Sequence, residues 1–281
     1  MPTPPRELIA AFRHRARKSL GQNFLTDAGV LQAIAEAARL GPETTVLEVG
    51  PGPGVLTQEL LARAGAVVAV EKDPRSVAFL GGAYLDLVAG AANLRVIEGD
   101  ALTVDLDAAL AGASDLVAVG NLPFNVGTAI MNRLLAQPDR WRRWVFMFQR
   151  EVARRLTAEP DSKAYGSLSL AVQSRARVQP VVDVPPEAFV PAPQIHAGVV
   201  LFDLEGPPSV PLALQPSFDR VVRSAFATRR KTLRNNLKRI FGDETDAVLD
   251  TAGVDGRKRP EQLPLAAFAA LAQVVEDRNT D

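Results

Sequence analysis

The chain contains no cysteine. That absence excludes disulfide bridges, thiolate zinc sites and cysteine nucleophiles, and it fits the reducing interior of a cell, so a cytoplasmic location is expected. Histidine is scarce as well, with His14 and His196 alone, too few for a histidine-rich metal centre, and no metal is expected. No apolar run approaches the ~20 residues that cross a bilayer. The N-terminal stretch has early prolines and lacks the apolar segment of a signal peptide, so a membrane role is not expected either. An excess of charge of one sign is also missing, because 32 Lys and Arg balance 32 Asp and Glu.

What is present is ordinary for a folded chain: 47% hydrophobic and 23% charged residues exclude disorder. Its 281 residues suffice for one large α/β domain with a smaller appendage. The zero net charge conceals an uneven distribution. Arg220, Arg223, Arg229, Arg230, Lys231, Arg234, Lys238 and Arg239 follow one another with no acid between them. A second basic run, Arg13, Arg15, Arg17 and Lys18, stands near the N-terminus. One such run is usually a solvated helix face, but two in a neutral chain shift the reading toward a polyanionic partner.

Periodicity organises the rest. Residues 27–40 place Val30, Leu31, Ile34, Ala37 and Ala38 on one stripe, with Thr26 or Asp27 available as N-cap. Buried strands are expected at Thr45–Val49, Ala66–Glu71, Leu94–Ile97, Leu116–Gly120 and Trp144–Gln149, with a closing pair at Val181–Val184 and Gly198–Leu204. Strands alternating with crossover-length segments imply a doubly wound, mostly parallel sheet that binds ligands at the carboxyl ends of its strands. Residues 205–216 hold four prolines and read as a linker. Beyond it, Phe218–Phe241, Glu244–Ala252 and Pro264–Val275 read as helices. The expected division is a domain at 1–207 and a helical one at 208–281.

The first expected strand runs into Gly50, Gly52 and Gly54, and Val55 opens a helix. Glycines there let the backbone turn sharply and approach a ligand closely. A dinucleotide fingerprint would need a small residue at Val55, and a phosphate loop would need a Lys-Ser/Thr pair; neither is present. The turn therefore suits an amino-acid or ribose moiety. Glu71, ending the next strand, can accept both ribose hydroxyl hydrogens. Asp100, after the third strand, is placed to accept from an adenine amino group. A ribose, an adenine and no phosphate point to S-adenosylmethionine.

After the fourth strand comes Asn121-Leu122-Pro123-Phe124. The amino nitrogen of adenine is a poor nucleophile because its lone pair is delocalised into the ring. The Asn121 side-chain oxygen and the Leu122 carbonyl can each accept one amino hydrogen, Pro123 holds the turn rigid, and Phe124 can stack on the base. An adenine must be unpaired or flipped to enter such a pocket.

With these residues in view the chain resembles the KsgA/RsmA family of small-subunit rRNA adenine dimethyltransferases, from about Lys18 to Leu265. The strings that carry the likeness are Gly21-Gln22-Asn23-Phe24-Leu25-Thr26-Asp27, the glycine turn, Asn121-Leu122-Pro123-Phe124-Asn125, Gln149-Arg150-Glu151-Val152, Tyr165-Gly166-Ser167-Leu168-Ser169 and Arg229-Arg230-Lys231-Thr232-Leu233-Arg234-Asn235. The resemblance implies a class I S-adenosylmethionine-dependent methyltransferase, a Rossmann-like α/β domain, with a small helical C-terminal domain that grips rRNA through Arg229, Arg230, Lys231 and Arg234. It implies that Asn23 and Leu25 close over the methionine end of the cofactor, and it completes a cofactor set of Asn23, Leu25, Gly50, Gly52, Glu71, Lys72, Asp100, Ala101 and Asn121. The implied reaction is dimethylation of two adjacent adenines in a loop near the 3′ end of 16S rRNA, on an immature small subunit; separately, the chain is expected to be a monomer. Phe124 stands where tyrosine is common, Gly127 and Ala129 where serine and proline are usual, and Gln194 and His196 where lysine and aspartate are usual. His196 reads as a loop residue rather than a catalyst. The rivals are a large-subunit rRNA methyltransferase of the macrolide-resistance type and a non-catalytic RNA-binding assembly factor that keeps the fold, or a transcription factor derived from it.

Overall fold

The computed structural model describes residues 3–17 and 21–280; Lys18, the last member of the N-terminal basic run, lies outside them. Nine strands are described: β1 (Phe24–Leu25), β2 (Thr44–Val49), β3 (Ala66–Glu71), β4 (Leu94–Glu98), β5 (Asp115–Asn121), β6 (Arg143–Gln149), β7 (Arg177–Val184), β8 (Phe189–Val190) and β9 (Ala197–Asp203). Seven of them form one sheet in the order β4-β3-β2-β5-β6-β9-β7, and β1 pairs antiparallel with β8 outside it. From β4 to β6 every neighbouring pair is parallel. β9 then runs antiparallel beside β6, with Phe146 opposite Val200.

The strands form where the apolar runs predict them because both sheet faces are covered. Along β6, Val145 and Met147 join Val46, Val117 and Val119 in the core on one face. Trp144 and Phe146 project from the other, where Phe202 lies 5.7 and 6.2 Å from their ring centres. The helix Ala28–Ala38 packs on the first of these faces through Val30, Leu31, Ile34 and Ala38. Its cap is Asp27, whose carboxylate accepts the Val30 N–H at 3.0 Å. Thr26 instead donates its hydroxyl to the Ala188 carbonyl at 3.0 Å.

The chain divides into two compact units, residues 1–153 with 179–205, and residues 154–178 with 206–281. The second has its own apolar core, built on Leu170, Phe218, Val222, Leu237, Leu249, Phe268 and Leu271. The proline-rich stretch 205–216 is only partly a linker: Val210 is fully buried, and its amide donates to the Ser174 carbonyl at 3.0 Å. Burial of Val210 and Leu214 outweighs the reluctance of prolines to join regular structure.

One expectation is corrected. Phe218–Phe241 is two helices, Gln215–Ala225 and Leu233–Phe241, separated by a turn. The buried Asn236 side chain causes the break, donating to the carbonyls of Ala225 at 2.6 Å and Thr228 at 3.2 Å. Thr232 caps the second helix, accepting the Asn235 N–H at 3.4 Å. The basic triplet Arg229–Lys231 thus stands in an exposed turn rather than along a helix face.

Candidate active site

The order of strands reverses between β2, which leads outward to β3 and β4, and β5, which leads to β6. In an open α/β sheet that reversal leaves a crevice at the carboxyl ends of the two central strands. The glycine turn leaves β2 and Asn121 ends β5, so the fold brings together two motifs that are far apart in sequence. A pocket lies here, lined by the 21–25 segment, the glycine turn, Glu71, Lys72, Asp100, Ala101 and the 121–126 turn.

Gly50, Gly52 and Gly54 all have positive φ, at 69°, 55° and 77°. At Gly54 the requirement is steric as well: a Cβ would stand 2.3 Å from the Tyr84 ring. The Tyr84 hydroxyl donates to the Gly54 carbonyl at 2.8 Å, which pins the turn from below. Glu71 pins it from the side, accepting the Gly52 N–H at 3.0 Å through Oε2 and the Asp73 N–H at 2.7 Å through Oε1. Burial pushes the Glu71 carboxyl above its ordinary range, and those two N–H groups oppose the shift. Each oxygen keeps a lone pair for a ligand hydroxyl.

Asp100 is held differently. The Lys72 ammonium lies 2.8 Å from Oδ2, and the Leu102 N–H donates to Oδ1 at 2.9 Å. Lys72 foremost, with that amide, holds the carboxyl below its usual range, so it is an ionised acceptor. The Ala101 and Val104 carbonyls accept from the Arg133 guanidinium, at 2.6 Å for Ala101, which braces the loop behind Asp100.

Across the pocket, the Asn121 amide nitrogen donates to the Asn23 carbonyl at 3.0 Å. A carbonyl can only accept, so this contact fixes which end of the amide faces it and leaves Oδ1 available as an acceptor. Leu122 is buried. The Pro123 carbonyl accepts the amides of Val126 and Gly127 at 3.0 and 2.9 Å, which closes the turn and starts the helix Gly127–Leu134. Phe124 is half-buried at the pocket wall. Leu25 is buried in β1, and Asn23 precedes it as part of the lining.

Three residues of this site had no role in the sequence reading. Glu48, directly before the glycine turn, lines the pocket while 1% exposed. Its Oε2 has no hydrogen-bond partner among the described residues, and burial pushes its carboxyl up to about 8. Asp73 and Gln22 join each other at 2.9 Å. The spacing Glu71-Lys72-Asp73-Pro74 marks a helix cap in the sequence, and Asp73 does cap the helix Pro74–Leu80. Its reach to residue 22 has no local signal. His196 is exposed and outside the pocket.

In the helical unit, Arg229, Arg230 and Lys231 are exposed. Arg234 is tied to Asp246 through both Nε and Nη2, so part of its charge is already balanced.

Strand order, positive-φ glycine turn and acids at successive strand ends define a class I methyltransferase with a nucleoside-cofactor pocket. The family described as ribosomal RNA adenine dimethylase matches residues 13–277. A ribosomal RNA small subunit methyltransferase A of Jannaschia sp. (strain CCS1) is 46% identical over 98% of this chain and 94% of its own. Its namesake of Geobacillus thermodenitrificans is 39% identical over 98% and 96%. Among solved structures, the 23S rRNA methyltransferase ErmE is 26% identical, with a TM-score of 0.72 over 90% of this chain and all of that one. A dimethyladenosine transferase from Plasmodium falciparum has a TM-score of 0.73 at 23% identity over 91% and 98%, which speaks to the fold. The chain belongs to the ribosomal RNA adenine dimethylase family.

The residues present fit S-adenosylmethionine. Glu71 and Asp100 offer acceptors for hydroxyl and amino hydrogens, and nothing lies within 4 Å of where a Gly50 Cβ would stand. Among the described residues no group of three or more His, Cys, Asp or Glu could hold a metal ion, and no helix is long and apolar enough to cross a membrane.

Proposed function

We propose that this chain dimethylates the N6 amino groups of two adjacent adenines near the 3′ end of 16S rRNA, in the cytoplasm, as a monomer acting on an immature small subunit. The observation that carries the reading is the Asn121 amide, held through nitrogen by the Asn23 carbonyl so that its oxygen remains to accept, in one pocket with Glu71 and Asp100.

When bound, S-adenosylmethionine supplies an electrophilic methyl group. The chain's own residues prepare the nitrogen that receives it. Asn121 Oδ1 accepts one amino hydrogen and the Leu122 carbonyl the other, which concentrates electron density on nitrogen and favours tetrahedral geometry. Because both acceptors are fixed before the base arrives, little reorganisation is left for the transition state. Phe124 stacks on the flipped base, worth about 1–3 kcal/mol by analogy with other base–aromatic contacts. No strong general base is required, because the amino proton becomes acidic once nitrogen is alkylated. Asn23, Leu25, Gly50, Gly52, Glu71, Lys72, Asp100 and Ala101 seat the cofactor. Arg229, Arg230 and Lys231 bind RNA phosphates in this reading, and Arg234 adds to them while its pairing with Asp246 orders the helix behind the turn.

The test is to incubate the purified protein with labelled S-adenosylmethionine and unmethylated small subunits, with unmethylated large-subunit RNA in parallel, and to map the modified nucleotides. Dimethyladenine at two adjacent positions near the 3′ end of 16S rRNA is expected. Label confined to large-subunit RNA would favour a 23S rRNA methyltransferase, the activity for which ErmE is named, and subunit binding without transfer would favour an assembly factor.

A further inference from the structure

Asn121 depends on the backbone carbonyl of Asn23, and that carbonyl belongs to a short segment laid over the pocket. The C-terminal side of the segment is anchored by packing: Phe24 pairs with Val190 across β1 and β8, and its ring lies where a Cβ on Gly52 would come within 3.3 Å. The N-terminal side is anchored through Gln22, whose backbone N–H donates to the Arg17 carbonyl at 3.3 Å. Gln22 Nε2 donates to Asp73 Oδ2 at 2.9 Å, while Gln22 Oε1 accepts the Arg17 N–H at 2.8 Å.

Asp73 is well suited to hold that end. It is fully buried, and its carboxylate accepts Arg75 Nε at 2.9 Å and Arg75 Nη2 at 2.5 Å in addition to Gln22. Arg75 also donates to the Arg15 carbonyl at 3.2 Å. Burial alone would push the Asp73 carboxyl up, but the bonds from Arg75 and Gln22 outweigh it and hold it at about 2. The Asp73 backbone N–H is the donor that Glu71 Oε1 accepts. A continuous path therefore runs from the acid at the end of β3, through Asp73 and Gln22, to the segment whose carbonyl grips Asn121.

We infer that Gln22 and Asp73 are positioning residues for methyl transfer: they clasp the 21–23 segment over the pocket so that Asn23 holds the Asn121 amide with its oxygen facing the target amino group. The inference rests on the reading of Asn121 as the acceptor. Asn121 stands on a strand end and keeps its backbone place without the clasp; what the clasp fixes is the rotation of its amide. An amide without that partner samples rotations in which its oxygen is misaimed or its nitrogen faces the amino group, and a donor there opposes the reaction.

The test combines a measurement on the protein alone with one on the reaction. Hydrogen–deuterium exchange of the 21–25 amides is followed without cofactor in wild type and in Gln22→Ala. Gln22→Ala is expected to speed exchange there about tenfold, with other regions unchanged. At saturating cofactor and RNA, Gln22→Ala is expected to lower kcat about tenfold, a size set by loss of alignment. In an Asn121→Ala background it should cost less than twofold, because the group it positions is gone. Unchanged exchange at 21–25, or a full tenfold loss on top of Asn121→Ala, would overturn the clasp. If wild type fails to methylate RNA, the proposed function fails and the exchange data still decide the clasp; if wild type transfers and Gln22→Ala matches it, the clasp fails alone.

Discussion

The pocket of the sheet unit and the basic turn of the helical unit handle charge in opposite ways. In the pocket two acids are committed: Glu71 to the Gly52 and Asp73 amides, Asp100 to Lys72 and Leu102. In the turn, Arg229, Arg230 and Lys231 are exposed. In the function proposed above, the difference follows from what each recognises. Selecting one amino group of a flat base requires acceptors fixed in advance in a site that excludes water, where a dipole is worth most. Holding a phosphate backbone requires cations that release its counterions, and precise aim matters less. Damage to the first region should therefore appear in turnover, and damage to the second in salt-dependent affinity.

The largest expected effect tests that division directly. Asn121→Ala should lower kcat by about 10²–10³-fold while leaving RNA affinity nearly unchanged, as removal of a transition-state acceptor does; equal losses in a binding assay and a single-turnover assay would erase the distinction. Gly54→Ala comes next. It places a Cβ 2.3 Å from the Tyr84 ring at a φ of 77°, and overpacking together with the left-handed strain should cost on the order of 2–4 kcal/mol, seen as a lowered Tm and lost cofactor binding.

Replacing Arg229, Arg230 and Lys231 together by alanine should reduce the slope of log affinity against log salt by about 2–3 and leave kcat at saturating RNA close to wild type. An unchanged slope would return the turn to an ordinary solvated surface. The last effect is a pH dependence. The folded Glu48 carboxyl sits at about 8, above its unfolded value of about 4, so between these pH values the folded state keeps a proton that the unfolded state has lost. The stability contributed by this group is full below about pH 4 and is lost as pH rises toward 8. Glu48→Gln should flatten that part of the stability profile, measured by denaturant melts across pH 5–9, whatever it does to stability at one pH.

How much of this was legible depended on distance along the chain. The five parallel strands were readable because each is a continuous apolar run between breakers, as Val67, Val68, Ala69 and Val70 show. The Gly50–Gly54 turn and Asn121–Phe124 were readable because each is a contiguous string with a chemical rationale. The break at residues 226–232 was not, because Asn236 creates it by reaching back to Ala225 and Thr228, while the apolar spacing through that stretch remains helical. The same holds for Gln22 with Asp73 and for Arg133 behind Asp100: nothing near Gln22 specifies a partner 51 residues away.

The amino-acid sequence by itself determined the sheet class, the existence of a nucleoside pocket and the types of group that line it, because hydrophobic periodicity and turn chemistry act over a few residues. Only the tertiary structure decided which end of Asn121 meets the Asn23 carbonyl, how Glu71 is braced and where the basic triplet stands. Those depend on hydrogen bonds whose partners become neighbours only after the sheet has ordered its strands.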